Sequence, residues 1–177
     1  MSKSSAPNIY LIGFMGTGKS TIGRQLAQQL DYLFLDSDQV IEEKEGRSIP
    51  QIFSDQGDAA FRVMEKAFVE SGHPEKGCVV SCGGGLIFQE GLQEVMESKG
   101  IIISLFASPE TIYERTRANA NRPLLQVDDP MAEIKALLEK RMPVYLQAGI
   151  GVLTDGRTIS EIVSHIVRIY QRALAES

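Results

Sequence analysis

Cysteine, histidine, long apolar runs and excess positive charge are all scarce in this chain, and each shortage removes a class of function. Its only cysteines are Cys78 and Cys82. Their spacing within CVVSC puts them on one face of an extended segment and does not match the C-x-x-C of redox or zinc sites. They read as two buried core thiols in a reducing compartment. His73 and His165 have no ligand-spaced partners, which argues against a histidine metal site. The amino-terminal MSKSSAPN has no apolar segment of the signal-peptide kind, and no stretch approaches a membrane span, so the expected location is cytoplasmic. Lys and Arg number 18 against 23 Asp and Glu, a formal net charge of -5. Nucleic-acid backbones and anionic lipid surfaces would repel such a chain, so neither is an expected partner. Local arginines still leave room for one small anion. With no repeat, low-complexity block or long linker, residues 1–177 are expected to form a single domain, and a monomer.

What is present is a series of short apolar runs separated by helical patterns. The runs are NIYLIG (8–13), YLFLD (32–36), CVVSC (78–82), IIISLF (101–106) and GVLTD (151–155). Most are continuous rather than alternating, as expected of parallel strands covered on both faces. Between them, Ile22, Leu26 and Leu30 form one helical stripe, and Ile159, Ile162, Val163, Ile166, Val167 and Tyr170 another. This alternation predicts a doubly wound α/β fold with a parallel sheet, whose ligands sit beyond the carboxyl ends of the strands.

The first run ends in GFMGTGKST, where Gly13, Gly18, Lys19 and Ser20 satisfy G-x-x-x-x-G-K-[ST] between a strand and a helix. Its glycines let backbone N–H groups wrap a phosphate at the positive end of the helix. Gly16, Thr17, Gly18, Lys19, Ser20 and Thr21 are thus the expected ATP cradle. Lys19 reaches the β- and γ-phosphates, and the Ser20 hydroxyl ligates Mg²⁺. The N-K-x-D of switch GTPases and the L-S-G-G-Q of ABC-type ATPases are both absent.

The second run ends in Asp36-Ser37-Asp38, and residues two apart in an extended chain share a face. One carboxylate suits the Mg²⁺ shell, and the other suits an attacking hydroxyl. Asp-Ser-Asp before Val40 and Ile41 is also a good helix N-cap, and the two roles are compatible. Arg62 borders the stripe of Phe61, Met64 and Phe68, with Glu65 able to brace it; alone, it reads first as an exposed helix ion pair. Arg141 interrupts the stripe Ile134, Leu138, Tyr145, and Pro143 is expected to kink or end the helix beyond it. A charge on a buried face needs a partner, and a ligand carboxylate is one candidate. Gly83-Gly84-Gly85 permits close approach of a ligand, or is simply a flexible loop. ERTRANANRPLLQ, with Arg115, Arg117 and Arg122, reads as a mobile flap or as a solvated loop.

In order, GFMGTGKST, LDSD, the FR-x-x-E of Phe61 to Glu65, GGG at 83–85, RPLL at 122–125 and the K-R-x-P-x-Y of Lys140 to Tyr145 resemble shikimate kinases over essentially the whole chain. The resemblance implies a P-loop kinase fold: a five-stranded parallel sheet flanked by helices, with an acceptor-binding segment near 37–70 and a mobile lid near 115–130. It implies transfer of the γ-phosphate of ATP to shikimate, giving shikimate 3-phosphate in aromatic amino acid biosynthesis. By the same resemblance, Ser20 and Asp36 serve the metal and Asp38 contacts the acceptor hydroxyls. Arg62 and Arg141 hold the shikimate carboxylate, and the backbone of Gly84 and Gly85 approaches the ring hydroxyls. Arg122 meets the ATP phosphates, and Arg115 and Arg157 flank adenine. The chain departs from the family pattern at Asp58, where Glu is usual after Gly57, and at Leu86, where a small residue is common. Rival readings are a gluconate or nucleoside monophosphate kinase, or a non-catalytic nucleotide-binding relative. Retention of Lys19, Asp36, Asp38 and Arg122 argues against the last.

Overall fold

The computed structural model describes residues 6–117 and 127–176. All five apolar runs are strands: β1 (Asn8–Gly13), β2 (Leu33–Asp36), β3 (Cys78–Ser81), β4 (Gly100–Phe106) and β5 (Ile150–Leu153). They form one parallel sheet in the order β2-β3-β1-β4-β5. Among the described residues seven α-helices connect and cover it: α1 (Lys19–Leu30), α2 (Ser37–Glu45), α3 (Ile49–Ser71), α4 (Leu92–Lys99), α5 (Pro109–Thr116), α6 (Pro130–Ala148) and α7 (Ile159–Glu176).

The continuity of the apolar runs has a simple cause. In β1, Ile9 and Leu11 face a layer containing Ile22 and Leu26 of α1 and Val163 and Ile166 of α7. Tyr10 and Ile12 face the opposite layer, with Phe61 and Phe68 of α3, Met96 of α4 and Ile134 of α6. Both faces are covered, so both alternate sets must be apolar. Cys78 and Cys82 are buried free thiols in the second layer.

Two helices differ from simple expectation. α3 is broken at Gly57, whose φ of 81° and ψ of 176° are non-helical. α6 runs through Pro143 to Ala148, so the proline does not end it. Pro143 sits on the exposed side, while Tyr145 and Ala148 beyond it are 1% and 3% exposed. Burial of those two holds the last turn where local sequence favours a stop. The strand carboxyl ends all open on one edge of the sheet. The phosphate-loop motif, the aspartates and the triple glycine therefore meet there.

Candidate active site

A cleft of about 800 Å³ lies over that edge. The loop from Met15 to Gly18 and the first turn of α1, Lys19 to Ile22, form its floor. Gly18 ends the loop at φ 94°, a left-handed conformation that seats the amino end of α1 against the cleft. Lys19 Nζ donates to the carbonyls of Gly13 at 2.8 Å and Phe14 at 3.0 Å, which arches its ammonium over the loop. Thr17 is buried, with its hydroxyl tied to the Phe14 carbonyl at 2.8 Å, whereas Thr21 is exposed at the rim.

The two readings of the aspartate pair both hold. Asp36 caps α2, its Oδ1 accepting from the Asp38 N–H at 3.2 Å. Its Oδ2 accepts from the Ser20 hydroxyl at 2.7 Å, and Ser20 Oγ lies 3.2 Å from Ser81 Oγ. These oxygens are hard donors of the kind Mg²⁺ takes, and that ion commonly uses few protein ligands beside phosphate and water. Among the described residues no three His, Cys, Asp or Glu side chains cluster as a metal cage.

Asp38 points inward, and its Oδ1 is buried with no hydrogen-bond partner among the described residues. Burial chiefly raises its carboxyl above the ordinary range, helped by nearby Asp36 and opposed by Lys19. A Cβ on Gly83 would lie 2.5 Å from that oxygen, so only glycine leaves room for the carboxylate. The Gly83 N–H is fixed by the buried hydroxyl of Ser37 at 2.8 Å.

The two arginines flank the next two glycines. A Cβ on Gly85 would overlap the Arg62 guanidinium, and one on Gly84 would come 3.6 Å from Arg141 Nη1. Glu65 braces Arg62 as expected, accepting from Nη1 at 2.6 Å, but its side chain is only 1% exposed. Arg62 Nη2 also donates to Asp58 at 3.2 Å. Arg141 is half-buried, with its guanidinium carbon 5.7 Å from the Phe14 ring and 5.6 Å from the Phe88 ring. Tyr145, one turn on, donates its hydroxyl to the Gly84 carbonyl at 3.1 Å.

Arg115 and Arg157 stand at the far end, near Thr154. Arg115 Nη1 donates to Gly16 O at 3.1 Å and to the Thr154 hydroxyl at 3.2 Å. Arg157 donates to the carbonyls of Leu153 and Glu161, each at 3.1 Å. Arg122 and residues 118–126 of the expected lid lie outside the described residues. Every other expected site residue lines this one cleft.

Sequence reading missed several polar partners. Ser81 was visible as a hydroxyl inside an apolar strand, and Ser37 as the residue between two aspartates. Gln89, which donates to Glu65 Oε2 at 2.7 Å, gave no local signal because its partner is 24 residues away.

A family model described as shikimate kinase matches residues 15–171. A shikimate kinase of Thermus thermophilus is 48% identical over 160 residues, covering 90% of this chain and 87% of its own. One from Thermodesulfovibrio yellowstonii is 41% identical over 165 residues, covering 93% and 95%. The shikimate kinase of Acinetobacter baumannii, solved in complex with shikimate, superposes with a TM-score of 0.88 at 36% identity over 96% of both chains. Sequence and fold agree across nearly the whole length, and the chain belongs to the shikimate kinase family.

Proposed function

We propose that this protein transfers the γ-phosphate of ATP to the 3-hydroxyl of shikimate, giving shikimate 3-phosphate and ADP in aromatic amino acid biosynthesis. The observation that carries the reading is the pairing of Arg62 and Arg141 against consecutive glycines, with the buried Asp38 oxygen beside them. Two guanidinium groups suit a carboxylate, and the acid suits a neighbouring hydroxyl. The phosphate loop forms the floor of the same cleft.

Asp38 takes the hydroxyl proton as the oxygen–γ-phosphorus bond forms and the bond to the β-phosphate oxygen breaks. Lys19 moves from its loop carbonyls to the β- and γ-phosphates. Arg62 and Arg141 hold the carboxylate, and the backbone of Gly84 and Gly85 lies along the ring hydroxyls. Arg115 and Arg157 flank adenine, and Arg122 meets the phosphates. Ser20 would hold Mg²⁺ directly and Asp36 through water. The ion, when bound, neutralises phosphate charge. No helix among the described residues is long and apolar enough to cross a membrane. We take the protein to act on a small molecule in the cytoplasm, and the net charge of -5 argues against nucleic acid as a partner. We take it to act as a monomer.

An ADP-release assay with shikimate, quinate, gluconate and nucleoside monophosphates tests the proposal. Shikimate is expected to lead in kcat/KM by at least about tenfold, roughly 1.4 kcal/mol of discrimination. Equal or better activity on gluconate or a nucleoside monophosphate would overturn it.

A further inference from the structure

The triple glycine leads directly into a tight turn, Leu86–Phe88, followed by Gln89. Three backbone bonds close this turn: Leu86 N–H to Gly83 O at 3.1 Å, Phe88 N–H to Gly85 O at 3.3 Å and Gln89 N–H to Leu86 O at 3.2 Å. Leu86 and Ile87, 0% and 5% exposed, root it in the core. It is therefore a rigid base for the two side chains that leave it toward Arg141 and Glu65. Phe88 is 40% exposed, unusual for so large an apolar group, and its ring lies edge-on to Tyr145 at 5.5 Å. One face is given to the Arg141 guanidinium, whose carbon is 5.6 Å from the ring centre. Gln89 Nε2 donates to Glu65 Oε2, the same oxygen that takes Arg62 Nη1.

One turn thus touches both arginines, one by an aromatic face and the other through a buried carboxylate. An arginine side chain loses substantial rotamer freedom when its guanidinium is fixed, so a site that fixes it beforehand binds more tightly. A neutral amide suits Gln89's place. It satisfies the buried carboxylate without adding a cation that would compete with Arg62 for it, or an anion that would compete with the ligand for Arg62. Resting on the assignment of Arg62 and Arg141 to the acceptor carboxylate, we propose that Phe88 and Gln89 are positioning residues that jointly set the spacing and orientation of that pair.

The test is isothermal titration of shikimate, and separately of ATP, into Gln89→Met, Gln89→Glu, Phe88→Leu and Phe88→Tyr. Thermal melting verifies that each is folded, and the partial exposure of both positions favours tolerance. Gln89→Met and Phe88→Leu should each weaken shikimate binding by roughly fivefold to tenfold while ATP affinity stays within about twofold. Gln89→Glu should be worse than Gln89→Met, because it sets a second carboxylate against Glu65. Phe88→Tyr, which keeps the aromatic face, should restore near-parental affinity where leucine of similar bulk does not. In steady state the losses should appear in KM for shikimate rather than in kcat. Shikimate affinities within about twofold of the parent in Gln89→Met and Phe88→Leu would overturn the proposal. Arg62→Lys, run in parallel, separates the two layers. If it weakens binding while the Phe88 and Gln89 variants do not, only the positioning role falls. If it too binds like the parent, the carboxylate assignment falls and the positioning role with it.

Discussion

Burial and the neighbouring Asp36 push the Asp38 carboxyl upward, and Lys19 offsets this only in part. A carboxyl whose folded-state pKa exceeds its unfolded one favours the fold while protonated, and that support is lost as pH rises through the folded value. The charged form that the proposed proton transfer needs is thus a local cost to the fold. Asp38→Asn should accordingly melt above the parent at neutral pH, with the gap closing as pH falls toward the ordinary carboxylate range near about 4. The same variant should lose at least about a hundredfold in kcat. Paired melting curves across pH, with one activity assay, check both halves; a variant that melts lower at neutral pH would refute the burial account. The sequence placed Asp36 and Asp38 in one cleft through their alternation at a strand end. It gave no hint that one Asp38 oxygen is buried without a partner among the described residues, because that depends on how Gly83, 45 residues on, lies against it.

Among the elements, α3 is the least regular and the most consequential. Its first half carries Phe53 and its second Arg62 and Glu65, and Gly57 sets the angle between them. With φ 81° and ψ 176°, that residue occupies a region nearly closed to other amino acids. Among the described residues a Cβ there meets nothing within 4 Å, so substitution is resisted by backbone strain. Gly57→Ala should lower stability by about 1–3 kcal/mol, read from urea unfolding midpoints. A loss well under that range would show the break to be relaxed rather than enforced. The helical stripe of Phe61, Met64 and Phe68 was legible from spacing. The break was not, since a glycine within a helical pattern is usually tolerated as such. Pro143 is the converse case: a local stop signal overridden by burial of Tyr145 and Ala148.

Across the whole molecule, the carboxyl ends of the strands hold the candidate site, while the amino ends hold a buried polar knot. There His73 Nδ1 faces the Pro74 carbonyl at 2.8 Å, and Nε2 faces the Tyr10 hydroxyl at 3.3 Å. A carbonyl only accepts, so Nδ1 carries the proton and Nε2 accepts from Tyr10. Protonating Nε2 would leave the tyrosine proton facing a donor. Burial above all lowers the His73 pKa from its ordinary 6.5. Its contribution to stability is therefore present above about pH 6.5 and lost as pH falls through the lower folded value. His73→Gln should flatten the acid-side slope of stability against pH, while kcat at neutral pH stays within about twofold. Equal slopes in parent and variant would contradict this. The sheet itself was the most legible part of the molecule. A strand buried on both faces advertises itself as an unbroken apolar run, whereas the knot joins Asn8, Tyr10 and His73 across some 65 residues and has no local signature.

One side chain joins the phosphate loop and its helix to α2. Asp36 gives one oxygen to Ser20 and the other to the N–H of Asp38, at the first turn of α2. It works like a shared hinge pin, since no rotation of the carboxylate toward the phosphate loop leaves its grip on the helix unchanged. Whatever draws Ser20 away from Asp36 is felt at Asp38, two residues along the chain. By reciprocity, whatever reseats Asp38 reaches back to Ser20 at the phosphate loop.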